Sequence, residues 1–466
     1  LPPGTRINPA TGVISGFPVR AGSFNRVVVR ARNRAGNAEP LRFGIVVRPL
    51  PAGIQGAYSV IVGRDTALNG TLGGFGNLRV AASGAVSGSL RLGARSHGFR
   101  GNLDTPLGGP PDNREPGPAA MNVIVRRGPL PPVELDLILV ESDWGMAMTG
   151  TATLLNPDDE SSPGVLVQGA NHPWNRQFTP RDFAGNHTVS LWLDEDENDD
   201  PALPRGRGFA TVRVTAAGRV NWTGKLPDGI AFRGSSTLWG MGGFRVFAPL
   251  NRGTGSLHGT LQINPPAPNP EPAPANPPLR LILGGVTGAP PMTWFKPSTN
   301  TRAAPAEIGP ASLLVLGSEF RPPDRDHPLL LGARRVPVGQ TNARIGFELP
   351  GDLAATIQWA GQLAQDFRLT PAHRAEFSRD PQVNPAAVRI TRINPGTGVF
   401  SGSLRLRDPN PDHLEPRTVN MQGVLLGDTQ KAEGLALVPE LSTPEVPRSR
   451  TKLRSIRVVL FPAGDD

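Results

Sequence analysis

Asn394-Pro395-Gly396-Thr397-Gly398-Val399-Phe400-Ser401-Gly402-Ser403-Leu404-Arg405-Leu406 is the stretch whose reading decides the fold. A glycine-bearing reversal runs into residues that alternate apolar and polar. A period of two places every second side chain on one face of a strand. The same turn-then-strand stretch recurs as Asn8-Pro9-Ala10-Thr11-Gly12-Val13-Ile14-Ser15-Gly16, as Ser83-Gly84-Ala85-Val86-Ser87-Gly88-Ser89-Leu90-Arg91-Leu92, and more loosely as Gly218-Arg219-Val220-Asn221-Trp222-Thr223-Gly224-Lys225-Leu226. Glycine supplies the positive φ of a tight reversal, and the small Ser/Thr-Gly step lets a neighbouring backbone approach. The chain therefore reads as a string of β-hairpins. The expected fold class is all-β, with barrel- or sandwich-like domains built from repeated hairpins.

Composition supports this and narrows the function. A length of 466 residues predicts two to four domains. Glycine (56) and proline (52) are abundant enough to raise disorder as a competitor. However, 38% of the residues are hydrophobic and only 19% charged, in short alternating runs, so many tight turns explain the glycine and proline better. With no cysteine, thiolate metal sites and cysteine nucleophiles are excluded. Nothing approaches the ~18 consecutive apolar residues of a spanning helix. One tyrosine, 6% aromatics and prolines throughout argue against an outer-membrane barrel, so no membrane span is expected. A net charge of +9 and a pI near 10.9 invite a nucleic-acid partner. Against it, only four of the 48 basic residues are lysine, and arginines such as Arg30, Arg32 and Arg34 are scattered on outward strand positions. They read as solvated surface, and no nucleic-acid partner is expected. The opening Leu1-Pro2-Pro3-Gly4 has neither initiator Met nor leader, so the chain reads as a fragment or processed product of a longer polypeptide.

Four blocks follow in order over residues 1–50: Leu1-Pro2-Pro3-Gly4, Asn8 to Pro18, Ala21-Gly22-Ser23-Phe24, and Ala31-Arg32-Asn33-Arg34-Ala35-Gly36. This stretch resembles the cadherin-like Ig domain found in tandem on large bacterial surface proteins. The resemblance implies a β-sandwich, here a partial one because the family's early strands would precede Leu1. The alternation agrees, predicting strands over 24–32 and 41–47.

Residues 54–263 read as one β-domain of two diverged repeats. Gly56 to Val62 parallels Gly185 to Leu191, Asn77 to Val80 parallels Thr211 to Val214, and Phe99-Arg100-Gly101 parallels Phe232-Arg233-Gly234. Such repetition suggests either two small sandwiches or one barrel closed from two halves; the barrel is the expected architecture, since each half shows too few strands to close alone. The segments 104–118 and 156–164 read as exposed loops. Residues 264–278 hold eight prolines in fifteen positions, so 264–279 is predicted to be a polyproline-II linker. Strand patterns resume over 280–463, the expected C-terminal β-domain, in which 352–366 is the one segment spaced for a helix. Beyond residue 50 the chain is similar only loosely to β-rich repeat regions of large secreted bacterial proteins.

Candidate chemistry lies in loops. Asp194, Asp196, Asn198 and Asp200 place oxygen ligands as in positions 1, 3, 5 and 7 of a calcium loop. Position 6 should be glycine and is Asp199; position 12 should be glutamate and is Arg205. Calcium is the one cofactor this pattern suggests, in a site unlike an EF-hand, and a solvated acidic loop is the alternative. Trp174, in Asn171-His172-Pro173-Trp174, is the loop tryptophan placed to stack on a sugar, whereas Trp192, Trp222 and Trp239 sit in strand patterns and are expected in the core. No zinc-protease, nucleophile-elbow or phosphate-loop motif occurs, and Glu141 and Asp143 lack a carboxylate partner. The expected function is non-enzymatic: an extracellular or cell-surface structural and adhesive β-modular segment, with a cell-surface glycan or protein as partner. The alternative is a carbohydrate-binding accessory module of a degradative enzyme.

Overall fold

The computed structural model describes the chain except residues 52, 106, 109–114, 117, 143–144, 156–163, 195–199, 201–202, 265–279, 285–290, 299–306, 325–328, 408–416, 428–429, 443–445, 447 and 464–466, with backbone alone at 107–108 and 115–116. It is all-β, and it divides into two compact units, Leu1–Pro173 and Trp174–Asp466.

In the first unit, eight strands follow one another as a meander: Gly56–Val62, Gly74–Val80, Ala85–Leu92, Arg95–Asn102, Ala119–Arg127, Leu130–Ser142, Gly145–Leu154 and Val165–Asn171. The last strand returns to the first, pairing Val167 with Val62 and Asn171 with Tyr58. Between the fourth and fifth strands, Asp104 and Ala120 exchange both backbone hydrogen bonds, at 2.8 and 2.7 Å. The sheet is thus an up-and-down barrel, which removes the open edges an isolated sheet would expose. Alternation fills it: Ala119, Met121, Val123 and Val125 point inward from one strand, against Val133, Leu135, Leu137 and Leu139 from the next.

The second unit holds two further barrels. In one, the strands are Gly185–Leu193, Gly208–Val214, Arg219–Lys225, Ala231–Thr237, Gly243–Leu250, Gly255–Ile263, then Leu281–Gly284 and Thr293–Lys296 sharing one position, and Ile308–Glu319. The two short strands each bridge Gly255–Ile263 and Ile308–Glu319. The last strand again returns to the first, from His187 opposite Glu319 to Leu193 opposite Leu313. Ala231–Thr237 and Gly243–Leu250 lie at the two ends of the sheet with no ladder between them among the described residues, so this barrel is nearly closed. The other, likewise nearly closed, runs Ala343–Glu348, Gln365–Leu369, Ala375–Phe377, Arg389–Ile393, Val399–Leu406, Arg417–Leu426, Lys431–Pro439 and Leu453–Pro462. Ala343 lies opposite Pro462 and Glu348 opposite Arg457, and no ladder joins Ala375–Phe377 to Arg389–Ile393 among the described residues.

Three expectations are corrected. Residues 54–263 are not one barrel closed from two halves: each repeat curls into its own barrel, because strands outside the matched blocks, such as Leu130–Ser142 and Ile308–Glu319, complete it by pairing with its first or neighbouring strands. The proline-rich stretch 264–279 lies, from residue 265 on, outside the described residues, but its flanks pair directly, Ile263 opposite Ile282. It therefore connects neighbouring strands inside the second barrel, and the C-terminal barrel begins at Ala343 instead of near 280. Proline excludes ladder hydrogen bonds but says nothing about which strands it joins. Over 352–366 only Gly351–Ala354 is α-helical, followed by the 3-10 turn Ala360–Gln362 and a strand from Gln365. Leu353, Ile357 and Leu363 are buried nonetheless, in the core of the third barrel.

Residues 1–50 form three two-stranded ladders: Thr5–Ile7 with Ile14–Gly16, Gly22–Val29 with Leu41–Val47, and Arg32–Asn33 with Gly36–Asn37. These residues do not themselves assemble the layered sandwich that the resemblance implies. Too few strands are present to cover one another, so Val13, Phe17, Val19, Val28, Leu41 and Val46 stay exposed while Val27 is buried.

The recurring turn ends on a glycine in each barrel but differs in length: the Gly84 and Gly218 amides donate to carbonyls three residues back, that of Gly398 to the Asn394 carbonyl four back. Gly84, Gly218 and Gly398 have φ of 79°, 77° and 71°. Their carbonyls accept from Leu103, Leu238 and Leu425, two strands further on, at 2.8, 2.9 and 2.8 Å. The two Asn-Pro copies cap themselves: Oδ1 of Asn8 and Asn394 accepts the amides of Ala10 and Gly396, each at 2.9 Å. This three-strand unit joins the second and third strands in the first two barrels but the fourth and fifth in the third barrel. Gly88 shows the close approach: a Cβ there would lie 2.7 Å from the Phe99 ring and 2.8 Å from the Asn77 carbonyl. We expect Gly84→Ala to cost about 1–2 kcal/mol through φ alone, since its nearest neighbour would be 3.8 Å away. Gly88→Ala is expected to cost more, because backbone must move. Urea denaturation of both variants checks the order.

Candidate ligand-binding grooves

The second and third barrels meet through an apolar contact. Phe209 points outward from the second barrel onto Val424, Leu426 and Leu435 of the third, and Val399 and Leu437 pack at its margin. Thr188 Oγ1 donates to the Leu425 carbonyl at 2.6 Å, the Gly427 amide to Ser318 Oγ at 2.9 Å, and Ser455 Oγ to the Pro227 carbonyl. A ladder of charge runs alongside. The Arg207 guanidinium stacks 3.7 Å from the Trp192 ring, and its Nε lies 3.7 Å from Glu433. Glu433 also accepts two hydrogen bonds from Arg457, at 2.9 and 2.5 Å, and Arg457 reaches Glu348 at 2.7 Å. Bidentate geometry and half-burial make such pairs worth more than an exposed salt bridge.

The strand rows that supply this contact continue outward into two grooves. From Phe209 the row runs to Thr211 and Arg213; from Val424 it runs back to Gln422, Asn420 and Thr418. One groove, about 1110 Å³, is lined by Thr211, Arg213, Asn221, Thr223, Arg233 and Ser235 of the second barrel, with Thr397 from the third barrel's turn. The other, about 930 Å³, is lined by Arg389, Thr391, Ser401, Ser403, Asn420, Gln422 and Arg448 of the third barrel, with Lys225 from the second. No aspartate or glutamate is among the described lining residues of either. Both are therefore cationic, hydroxyl- and amide-rich surfaces formed where two barrels adjoin.

The barrel interior offers no comparable room. The cavity inside the second barrel is about 20 Å³, between Trp222, Phe244, Leu257 and Met292 among others, which is roughly the space of one water. Polar side chains are nevertheless buried in this barrel, among them His187, Asp228 and Lys296. His187 has neither ring nitrogen hydrogen-bonded among the described residues, and burial, with Arg280 nearby, pulls its pKa down to about 4. Lys296 Nζ lies 3.4 Å from Asp228 Oδ2, both side chains fully buried. Burial pushes the Asp228 carboxyl up to about 6 against the pull of Lys296, and burial likewise lowers Lys296.

The residues singled out from sequence lie elsewhere. Trp174 is half-buried, its ring 6.1 Å from Phe183 and packed on the core of the second barrel, with Nε1 buried and without a hydrogen-bond partner among the described residues. Asp194 and Asp200 flank the connection between the first two strands of the second barrel; Asp196 and Asn198 lie outside the described residues. Among the strand tryptophans, Trp222 is in the core, whereas Trp192 and Trp239 are half-buried and carry Arg207 and Arg245 on their faces. Sequence reasoning missed the groove cations. Alternation placed Arg213 and Arg233 outward, but outward reads as solvated until a second barrel is known to stand beside them.

His187 gives a pH test. Its folded pKa lies below the ordinary value, so its neutral form stabilises the fold above pH ~6.5, and that contribution is lost as pH falls toward 4. Between pH 7 and 4 the wild type is expected to lose about 3 kcal/mol more than His187→Leu, read by urea denaturation at each pH. Lys296→Met would leave a buried carboxylate unpaired and cost about 3–5 kcal/mol. Lys296→Met combined with Asp228→Leu is expected to recover most of it, which a double-mutant cycle measures.

No family model and no curated protein matches the chain. Among solved structures, it is similar to a point mutant of the vaccine antigen transferrin binding protein B from Haemophilus parasuis, at 10% identity over 93% of this chain and 85% of that one, with a TM-score of 0.20. At that score the likeness carries no argument for this chain.

Proposed function

We propose that this chain is a non-enzymatic, extracellular segment of a larger bacterial surface or secreted protein, a set of rigid β-modules that present an adhesive surface. The observation that carries the reading is the pair of cationic grooves at the junction of the second and third barrels. Filled barrels hold their shape without a ligand and turn their polar chemistry outward. The resemblance of residues 1–50 to tandem cadherin-like Ig repeats supports a place within an extended surface polypeptide. The second reading, a carbohydrate-binding accessory module, is favoured by the hydroxyls and amides that crowd the first groove. A glycan and host-protein array probed with the full chain tests both. Binding lost in Arg213→Ser/Arg233→Ser supports a junction site; binding lost only in Trp174→Ala moves the site to that loop and favours the accessory-module reading; no binding to any target removes the adhesive reading.

The acidic connection of 194–200 enters this proposal as a calcium site that would order the loop. Calorimetric titration with calcium chloride is expected to give heat that Asp196→Ala abolishes. A silent titration, with the melting temperature unchanged in the variant, leaves only a solvated loop.

A further inference from the structure

We infer that the groove lined by Arg213 and Arg233, continued by Lys225 into its neighbour, binds an acidic polysaccharide, a chain of sugars bearing carboxylate or sulfate groups. This deepens the junction-site reading and rests on it. Strand register sets the pattern. Arg213 lies opposite Asn221, which lies opposite Ser235; Thr211 lies opposite Thr223, which lies opposite Arg233. The two arginines are thus two strands and two residues apart, a span of roughly 12 Å. Hydroxyl or amide groups occupy the positions between them. Guanidinium forks hold carboxylate or sulfate oxygens in a bidentate manner, and the side chains between match sugar hydroxyls.

The outward row Asn221, Thr223, Lys225 enters both grooves, the first two lining one and Lys225 the other. An elongated ligand can therefore follow a single strand from Arg213 and Arg233 toward Arg389 and Arg448. Around Arg213 and Arg233 the described lining holds no carboxylate, so their positive charge faces the groove.

Two other polymers fit less well. A single-stranded nucleic acid needs aromatic faces on which bases stack. The aromatic rings among the described lining of the first groove, Trp222 and His187, are only 5% and 1% exposed, and Trp222 lies beneath Gly234. Neutral sugars recognised by ring stacking lack a platform there for the same reason.

The test uses the full chain and measures binding of polygalacturonate oligosaccharides, heparin oligosaccharides, neutral dextran and poly(dT) by calorimetry at 0.15 M salt. The expected result is binding of one or both acidic saccharides, with the two arms separating carboxylate from sulfate recognition. Arg213→Ser/Arg233→Ser should weaken it by about tenfold or more. The control Arg79→Ser/Arg100→Ser removes the same charge from exposed strand positions of the first barrel and should change it less than about twofold. Equal losses in the two variants would mean a general charge effect and overturn the inference, as would tighter binding of poly(dT). Dextran binding that only the groove variant loses would keep the junction site and overturn its acidic ligand class. Failure of every polymer, alongside a groove-dependent protein on the array, would overturn the inference and leave the adhesive reading standing.

Discussion

Closure of the first strand onto the last is the constraint on which everything else depends. In each barrel the meander brings a strand to the edge of the one where it began: Asn171 beside Tyr58, Val189 beside Gly317, Ile345 beside Leu460. Each such ladder satisfies amides and carbonyls that would otherwise stand open along two edges. Closure also decides what the side chains do. Once the sheet curls into a cylinder, bridged all round in the first barrel and nearly closed in the other two, one face of every strand is inside, and an eight-strand cylinder is just wide enough for side chains to fill it.

That filling pushes function outward. With about 20 Å³ left within the second barrel, no ligand of useful size enters it. The outward faces become the working surface, and they work differently along a single strand. Phe209 is apolar where the barrels touch, while Thr211 and Arg213 on the same row are polar where they diverge. The contact between barrels and the groove beside it are one pattern, two residues apart. The Trp192–Arg207–Glu433–Arg457 stack holds the third barrel against the second, and so sets the position of Thr397 and Lys225 in the grooves.

Polar groups caught inside the second barrel need their own account. Lys296 and Asp228 are sealed together in it, joining residues 68 positions apart in the chain. A hydrophobic pair of equal volume would do as well for stability; the ion pair ties the 226–230 turn to the strand Thr293–Lys296. His187 is the opposite case, an imidazole kept neutral by burial with Arg280 nearby. It makes the barrel sensitive to acid without any partner changing place.

The all-β class, the repeated turns and the alternating strands beside them were legible in the amino-acid sequence. Glycine at positive φ, the Asn-Pro caps and the alternation of Val399 to Leu406 act over a few residues, so they are legible without knowing what lies nearby. The matched pairs Phe99 and Phe232, or Gly84 and Gly218, reported a repeated unit for the same reason. Which strands close into which barrel was not legible. Ile308–Glu319 completes a sheet that starts at Gly185, across a proline-rich stretch that composition alone presents as a boundary. Nor could any local pattern distinguish Arg213 in a groove from Arg79 on an open face. Both alternate outward identically. Only the tertiary structure decided that difference, because a groove is made by the second surface standing opposite, and that surface comes from a barrel more than a hundred residues further along the chain.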